Sequence, residues 1–265
     1  SLGVLYRPVD SWVVSANLST GFRAPNVDDM GKIFDSEDFA VVVPNNQLTA
    51  EYAYNAELSA SKTFGSIWEF DITGFYTYLN NALVRRNSSL NGNDRLFFDG
   101  GLKRIQSIQN AAFAEVFGIQ TGVEARLTKQ IKFENKLNVQ RGTEELKGGS
   151  TSPSRHVAPL FTVSRLSYVT EKLQVQASFI YNHQIKYEDL NVGEQEKAYL
   201  YAADENGLPY SPSWYTFNIN AQYKINKNIL FNLGVENLTD QLYRPYSSGI
   251  SGPGRNVTGS IVATF

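Results

Sequence analysis

Apolar and polar residues alternate along most of the chain, and the alternation is clearest toward its C-terminal end. From Tyr215 to Ile225 every second residue is apolar, and the run from Ile229 to Glu236 repeats the pattern after only three intervening residues. A period of two places successive side chains on opposite faces of a β-strand. The two runs therefore predict a tight β-hairpin with one apolar and one polar face.

Comparable runs occur along the whole chain and bring the number of predicted strands to eleven. The other nine are predicted at residues 1–7, 11–23, 51–64, 67–85, 112–128, 131–141, 157–169, 172–184 and 256–265. The run at 157–169 is the least regular, because Phe161 and Val163 change parity relative to Leu166 and Tyr168. The pattern as a whole indicates an all-β chain of antiparallel strands.

The connections between these strands alternate between short and long. Short turns are predicted at residues 8–11, 65–66, 128–130, 170–171 and 226–228, and long polar loops at 24–50, 86–111, 142–156, 185–212 and 239–255. Bacterial outer-membrane barrels have short periplasmic turns and long extracellular loops. The sequence therefore predicts an antiparallel transmembrane β-barrel in the outer membrane, with the C-terminus on the periplasmic side.

Composition agrees with this class and excludes several others. The chain has 15 Tyr and 16 Phe, and aromatic residues such as Trp12, Phe22, Phe64 and Trp68 mark predicted strand ends, as in interfacial girdles. No stretch approaches 18 consecutive apolar residues, so no helical span is expected. A net charge of -2 without a basic run argues against nucleic-acid binding. The chain has no cysteine and no catalytic motif, so we expect no enzymatic activity, no catalytic residues and no metal site.

A secreted β-sandwich that serves as a soluble binding module would show the same alternation. It does not predict strands of ten or more residues or loops that alternate in length. Charge placement also favours the membrane barrel, because a charge that faces lipid at the midplane costs about 2–4 kcal/mol. Five charged residues of the predicted strands fall on the polar face, namely Glu69, Asp71, Glu124, Arg126 and Lys224.

Several motifs occur in a characteristic order and spacing. Those near the C-terminus are Gly234–Asp240, Tyr243–Tyr246, Pro253–Asn256 and a last strand that ends in the aromatic Phe265. The segment Gly21–Pro25 is followed by Pro44–Leu48 and Glu51. Together these motifs resemble TonB-dependent outer-membrane receptors, and the resemblance implies that Phe265 is an outer-membrane assembly signal and that Gly21–Pro25 belongs to an internal motif of the family. The stretches Gly74–Tyr78 and Gly118–Glu124 most resemble the branch that takes iron or haem from haemoglobin, transferrin and lactoferrin.

The resemblance implies that residues 1–265 are the C-terminal half of a plugged barrel of roughly 22 strands, without the plug domain and the N-terminal barrel half. The N-terminal residues carry no export signal, which fits a missing upstream part. The implied function is TonB-dependent import of haem, free or from host proteins, with a ferric-siderophore or cobalamin receptor as the alternative and a passive barrel as a more distant one.

The same resemblance supplies expected partners. They are the N-terminal half of the receptor with its plug, the TonB complex, the barrel assembly machinery, outer-membrane lipid and a host haem protein. No resident cofactor is expected, because haem or a ferric chelate would be the transported cargo.

Candidate ligand-binding residues lie in or beside the predicted extracellular loops. Haem receptors that this chain resembles often carry a histidine ligand between the two internal motifs, and no histidine lies between Pro25 and Pro44. The haem-ligand candidates are therefore the two histidines, His156 and His183, or loop tyrosines, because tyrosine also ligates ferric haem. The tyrosine candidates, which could equally stack on another ligand, are Tyr199, Tyr201, Tyr243 and Tyr246.

The first long loop is acidic and adds two further candidates, Asp28 and Asp29, which are followed by Asp35, Glu37 and Asp38. Such a run could bind a cation or a basic protein surface, or it could simply be solvated.

The role of Phe265 can be tested by deletion in the complete receptor. A terminal strand with an exposed edge and an apolar anchor can pair with the insertion machinery, so loss of Phe265 should lower the outer-membrane level and raise periplasmic degradation. Deletion of three residues at the loop tip near Gly149 should be tolerated. Equal outer-membrane levels of the two deletion variants on immunoblots would contradict this role.

Overall fold

The computed structural model describes residues 1–37, 39–110, 113–146 and 149–265, and most of them belong to β-strands. In chain order these are β1 (Leu2–Tyr6), β2 (Trp12–Arg23), β3 (Phe34–Glu37), β4 (Ala40–Val43), β5 (Glu51–Phe64), β6 (Trp68–Asn80), β7 (Leu83–Asn87), β8 (Arg95–Phe98), β9 (Gly101–Asn110), β10 (Phe113–Arg126), β11 (Ile131–Glu145), β12 (Thr151–Pro153), β13 (Leu160–Val169), β14 (Leu173–Asn182), β15 (Ala202–Ala203), β16 (Pro209–Tyr210), β17 (Trp214–Lys224), β18 (Ile229–Glu236) and β19 (Asn256–Ala263).

The helices are short. They are α1 (Val27–Gly31), α2 (Val192–Gln195) and two 3-10 turns at Tyr187–Asp189 and Ala198–Leu200. In the part of the chain that the structure describes, no helix has the length and apolar character needed to cross a membrane.

Eleven strands form one antiparallel sheet in chain order, β1-β2-β5-β6-β10-β11-β13-β14-β17-β18-β19, with the short β12 added to β11. These are the eleven strands that the sequence predicts, with adjusted ends. β11 continues to Glu145, four residues beyond its predicted end. The predicted strand 67–85 is wrong as a single element, because the chain takes a left-handed conformation at Asn81 (φ 57°) and then enters another sheet as β7. Of the predicted strand 112–128, residue 112 lies outside the described residues.

Strand register confirms that the sheet has one apolar and one polar face. On the apolar face Phe70 lies opposite Val123 and Ile72 lies opposite Thr121, whereas on the polar face Glu69 lies opposite Glu124. The other charged residues assigned to the polar face from the sequence, Asp71, Arg126 and Lys224, share its parity in the observed pairing. The apolar face is extensively exposed, with Leu58, Ile119, Leu166, Phe217 and Ile261 among its members.

The irregular run at 157–169 forms a regular strand, β13, that pairs with both neighbours without a bulge. The parity change therefore places Thr162 and Ser164 on the apolar face. Their hydroxyls are satisfied there, because Asn135 Nδ2 donates to Thr162 Oγ1 at 3.0 Å and to Ser164 Oγ at 2.8 Å. A hydrogen-bonded polar patch of this kind avoids the cost of unpaired polar groups in an apolar environment.

The main sheet is open at both ends. Among the described strands, β1 pairs only with β2 and β19 only with β18, so each has an open outer edge. An unpaired backbone group in hydrocarbon costs several kcal/mol, so both edges need further strands in the membrane.

The first two long loops, which the sequence predicts as polar loops, contain a second sheet. Its strand order is β3-β4-β9-β7, with β8 also paired to β9, and β4 runs parallel to β9. Its core consists of Val41, Val43 and Ile105, against which Leu96 and Phe98 pack. We call this element the loop sheet.

The predicted topology can be tested by cysteine labelling, because the chain has no native cysteine. Single cysteines at Tyr199, Leu242 and Ile250, which are largely exposed in long loops, should react with an impermeant thiol reagent on whole cells. Cysteines at the short-turn residues Lys129 and Lys227 should react only after the outer membrane is opened. The opposite labelling pattern would contradict the prediction that the long loops are extracellular and the short turns periplasmic.

Candidate functional site

Asn191 connects three of the long loops. Its side-chain Nδ2 donates to Glu144 Oε1 at 2.8 Å and to the Pro153 carbonyl at 2.7 Å. Its backbone N–H donates to the Tyr246 hydroxyl at 3.1 Å, and its Oδ1 accepts from Arg155 Nε at 3.2 Å. Because Asn191 is buried and fully hydrogen-bonded, it holds loops 142–156, 185–212 and 239–255 in one arrangement.

Glu194 is the buried charge of the same region, with a side chain that is 3% exposed. Its Oε2 accepts from the Tyr201 hydroxyl at 2.6 Å, and its Oε1 lies 3.3 Å from Lys197 Nζ and 3.5 Å from Arg155 Nε. Burial raises the pKa of Glu194, but the Tyr201 hydroxyl and the two cations outweigh burial and hold this pKa below its ordinary value. We call the group formed by Glu144, Arg155, Asn191, Glu194, Lys197, Tyr201 and Tyr246 the loop network.

Two of the candidate tyrosines belong to the loop network. Burial and the hydrogen bond to Glu194 raise the pKa of Tyr201 far above its ordinary value, and burial also raises the pKa of Tyr246. A tyrosine that ligates ferric haem does so as the deprotonated phenolate. In the observed conformation both hydroxyls are therefore set up to connect loops rather than to ligate iron.

The other two tyrosines have different environments. The Tyr243 ring packs against Trp214 in a tilted arrangement, with 4.4 Å between ring centroids, and it also packs against Gly252, where a Cβ atom would overlap the ring. This contact anchors the last long loop to β17. Tyr199 is 77% exposed, so of the four candidates it is the one whose side chain lies largely in solvent.

Both histidines are exposed at loop-to-strand junctions. His156 has a left-handed backbone (φ 60°), and its N–H donates to Ser247 Oγ at 3.5 Å. His183 Nδ1 lies 3.1 Å from the Tyr181 hydroxyl. Within residues 1–37, 39–110, 113–146 and 149–265, no group of three or more His, Asp or Glu side chains is arranged to hold a metal ion.

The acidic residues of the first loop are largely paired within the chain. Asp29 closes the N-terminal capping box of α1 and accepts from Arg23 Nη2 at 2.6 Å, while Asp35 lies 2.7 Å from Lys103 Nζ. Asp28 is mostly exposed, 4.0 Å from Lys32 Nζ. Asp38 lies outside the described residues. These pairs favour a local structural role for Asp29 and Asp35 over cation binding.

Arg23 belongs to the internal motif Gly21–Pro25 and connects this motif to Glu51 by an ion pair. Its guanidinium bridges Asp29 and Glu51, at 2.6 Å and 3.2 Å. Glu51 in turn accepts from the Leu83 N–H at 2.9 Å, at the point where the chain leaves the main sheet. The motif therefore fixes the base of the loop sheet.

The loop sheet presents an exposed surface that combines arginine with apolar side chains and that was not predicted from the sequence. Arg95 lies opposite Arg104, and Phe97 lies opposite Leu102, so all four share one face of the β8–β9 hairpin. Phe97 is 71% exposed and Leu102 is 59% exposed, and the largely exposed Phe39 adjoins them through a 2.7 Å hydrogen bond from the Arg104 N–H to its carbonyl. The alternation Arg-Leu-Phe-Phe followed by Leu-Lys-Arg is the signal that could have revealed it. We call this surface the arginine–aromatic face.

Most of the chain matches a known protein family, and one curated protein is related to it. Residues 1–238 match the family described as "TonB dependent receptor-like, beta-barrel". The "Probable hemoglobin and hemoglobin-haptoglobin-binding protein 4" of Haemophilus influenzae is 24% identical over 271 residues, which cover 95% of this chain and 25% of that protein. The chain thus spans a quarter of this curated relative.

Solved structures show the same fold. A mutant of the ferric enterobactin receptor PfeA from Pseudomonas aeruginosa, in complex with enterobactin, superposes with a TM-score of 0.71 at 17% identity, over 99% of this chain and 40% of that one. The copper transporter OprC superposes with a TM-score of 0.69 at 15% identity, over 99% and 38%. The family consists of outer-membrane receptors rather than enzymes. The chain belongs to the TonB-dependent receptor family, of whose β-barrel it forms a part.

Proposed function

We propose that this chain supplies the strands and extracellular loops of a receptor that captures an iron complex, in the first place haem from host haem proteins, for TonB-dependent import. In the complete receptor, the N-terminal barrel half would close the sheet, the plug would fill the lumen, and the TonB complex would supply the energy for release inward. The barrel assembly machinery would insert the chain. The single observation that carries the proposal is the arginine–aromatic face on the loop sheet.

The chemistry of this face fits haem. Haem combines a flat apolar ring with two carboxylates, so Phe97 and Leu102 could contact the ring while Arg95 and Arg104 pair with the carboxylates. The name of the Haemophilus influenzae relative supports haem as cargo. A ferric siderophore is the second candidate, because an aromatic anionic chelate needs the same two kinds of contact, and because one structure with this fold holds enterobactin.

The loop network supports capture by reducing its entropic cost. Three loops that are already fixed in the free receptor lose little conformational entropy when a ligand binds, which is the energetic advantage of preorganisation. The expected axial ligand within this chain is Tyr199, since Tyr201, Tyr243 and Tyr246 are engaged elsewhere. His156 and His183 stay candidates.

Haem ligation can be tested with the purified complete receptor titrated with ferric haem. We expect saturable binding, a changed optical spectrum in Tyr199→Phe, and a wild-type spectrum in the matched variant Tyr243→Phe, because both substitutions keep the ring and remove a hydroxyl. His156→Ala and His183→Ala test the remaining candidates. Absence of saturable haem binding by the wild type would eliminate haem and leave the ferric siderophore.

The arginine–aromatic face gives a second prediction. Arg95→Gln and Arg104→Gln together should weaken capture of the iron complex by about tenfold or more, because each arginine contributes a charged hydrogen bond. Arg126→Gln, on the polar face of the main sheet, is the control and should bind like the wild type. Unchanged affinity of the double variant, measured by titration, would remove this face from the site.

The loop network gives a third prediction, with a defined pH dependence. In Glu194→Gln, loop 185–212 should exchange its amide hydrogens faster at pH 7, because hydrogen bonds to a charged group contribute about 1.5–3 kcal/mol each. Glu188→Gln, an exposed carboxylate in the same loop, is the control. The pKa of Glu194 is lowered by folding, so its contribution is complete above pH 4.5 and is lost as the pH falls through the lowered pKa. The wild type should show this acid transition and Glu194→Gln should not. Identical exchange profiles in the two proteins would contradict the role of Glu194 in holding loop 185–212.

A further inference from the structure

The sequence contains two asparagines that are followed directly by glycine, Asn91 before Gly92 and Asn206 before Gly207. All four residues are exposed in long loops. In such a pair the glycine nitrogen can attack the asparagine side chain, because glycine has no side chain to hinder the approach and the ring that forms has five members. Asparagine is accordingly among the thermolabile residues of proteins. Each pair is therefore a chemical candidate for spontaneous modification.

The two glycines are equally open to their surroundings. Gly92 has a left-handed backbone with φ 83°, and Gly207 has one with φ 78°. No atom lies within 4 Å of the position that a Cβ atom on either glycine would occupy. Neighbouring side chains therefore do not distinguish the two pairs, and a difference in reactivity has to come from hydrogen bonding.

The pair at Asn206 is held by several hydrogen bonds. The Gly207 N–H, which carries the nitrogen that would attack, donates to the Asp204 carbonyl at 3.0 Å. The Asp204 Oδ1 atom accepts from the backbone N–H groups of Asn206 and Leu208, both at 2.8 Å. To reach the Asn206 side chain, the Gly207 nitrogen has to give up its own hydrogen bond and disturb those on either side of it.

The pair at Asn91 lacks such bonds. Leu90 and Asn93 exchange two backbone hydrogen bonds, at 2.9 Å and 3.0 Å, and enclose Asn91 and Gly92 as a two-residue turn. In the part of the chain that the structure describes, neither the Gly92 N–H nor the Asn91 side chain has a hydrogen-bond partner. The peptide unit between Asn91 and Gly92 can therefore rotate toward the reactive geometry without the loss of a hydrogen bond.

We propose that Asn91 is a site of spontaneous deamidation in the folded receptor and that the fold protects Asn206. The Gly92 nitrogen loses its proton to solvent and forms a bond to Asn91 Cγ, the bond between Cγ and Nδ2 breaks, and ammonia leaves with one proton regained. Water then opens the cyclic imide at either carbonyl and gives aspartate or isoaspartate. One water is consumed and one ammonia is released, and nothing is oxidised or reduced.

The modification changes the connection between β7 and β8 of the loop sheet, where Asn91 lies. Both products replace a neutral amide with a carboxylate, and isoaspartate also lengthens the main chain by one carbon atom. A turn that the two bonds between Leu90 and Asn93 close in its present form has to rearrange around the longer chain. The reaction needs only water, so it does not depend on the proposed cargo.

The proposal can be tested on the complete folded receptor, purified in detergent and incubated in mildly alkaline buffer made with oxygen-18 water. Peptide mapping by mass spectrometry after digestion in ordinary water then identifies carboxylates formed before digestion. We expect the Asn91 peptide to convert about tenfold faster than the Asn206 peptide, because only Gly207 has to break hydrogen bonds. The Asn91 product should contain one oxygen-18 atom and separate into two isomers. Mildly acidic buffer should slow the conversion, since the attacking nitrogen has to lose its proton.

Two controls separate the effect of the fold from that of the sequence. Receptor unfolded in denaturant should convert Asn91 and Asn206 at similar rates. Asn91→Gln, whose attack would form a larger ring, should remove the first product, whereas the matched variant Asn206→Gln should leave conversion at Asn91 unchanged. Equal rates at the two sites in the folded receptor, faster conversion at Asn206, or no conversion at Asn91 while the unfolded chain reacts would overturn the proposal. The comparison within the wild type is decisive even where Asn91→Gln does not fold.

Discussion

In a hydrocarbon environment every backbone N–H and C=O group must find its hydrogen-bond partner within the protein, because no water is available to replace it. Between β1 and β19 the main sheet of this chain meets that constraint through continuous antiparallel pairing, and the outer edges of these two strands are the part that needs further strands. Once the backbone is fixed in this way, each side chain is assigned to one of two faces. A slip of one residue would exchange the faces, so the alternation of the sequence and the register of the sheet specify each other.

The exceptions on the apolar face follow from the same constraint. Thr162 and Ser164 lie there because their hydroxyls share Asn135 as a donor. Arg141 also lies on this face, opposite Phe117, and it is exposed. Lys62 is a further cation on this face, and its Nζ lies 4.6 Å from the centroid of Trp12 and 4.7 Å from that of Phe64. Thr162, Ser164 and Lys62 thus each have a local partner that compensates for their polarity.

The sequence was sufficient to predict the eleven strands of the main sheet, because alternation and turn residues are local signals. It was not sufficient for the loop sheet. Strand β4 is a short apolar run, Ala40–Val43, whose partner β9 lies about sixty residues away and runs parallel to it. Short apolar runs do not reveal their partners, and a loop that contains one is easily taken for irregular chain.

The candidate site, too, was only partly predictable from the sequence. Residue type alone indicated tyrosines in the loops, but the sequence could not show that Tyr201 pairs with Glu194 or that Tyr243 packs against Trp214 and Gly252. These contacts depend on where three loops meet in space. The arginine–aromatic face was visible as a local alternation, yet its exposure follows only from the loop sheet. Which cargo the receptor carries depends on such surfaces rather than on the barrel.

The direction of every side chain in the main sheet depends on the assignment of the two faces, and a single added charge tests this assignment most directly. Ile72 on the apolar face and Gln120 on the polar face lie at neighbouring levels of adjacent strands. Lysine at Ile72 would face lipid near the midplane and cost about 2–4 kcal/mol, whereas lysine at Gln120 would face the polar interior. The amount of folded receptor in the outer membrane, measured by heat-modified electrophoretic mobility, should fall strongly in Ile72→Lys and stay near the wild-type level in Gln120→Lys. Equal levels in the two variants, or the reverse order, would contradict the assignment of the faces.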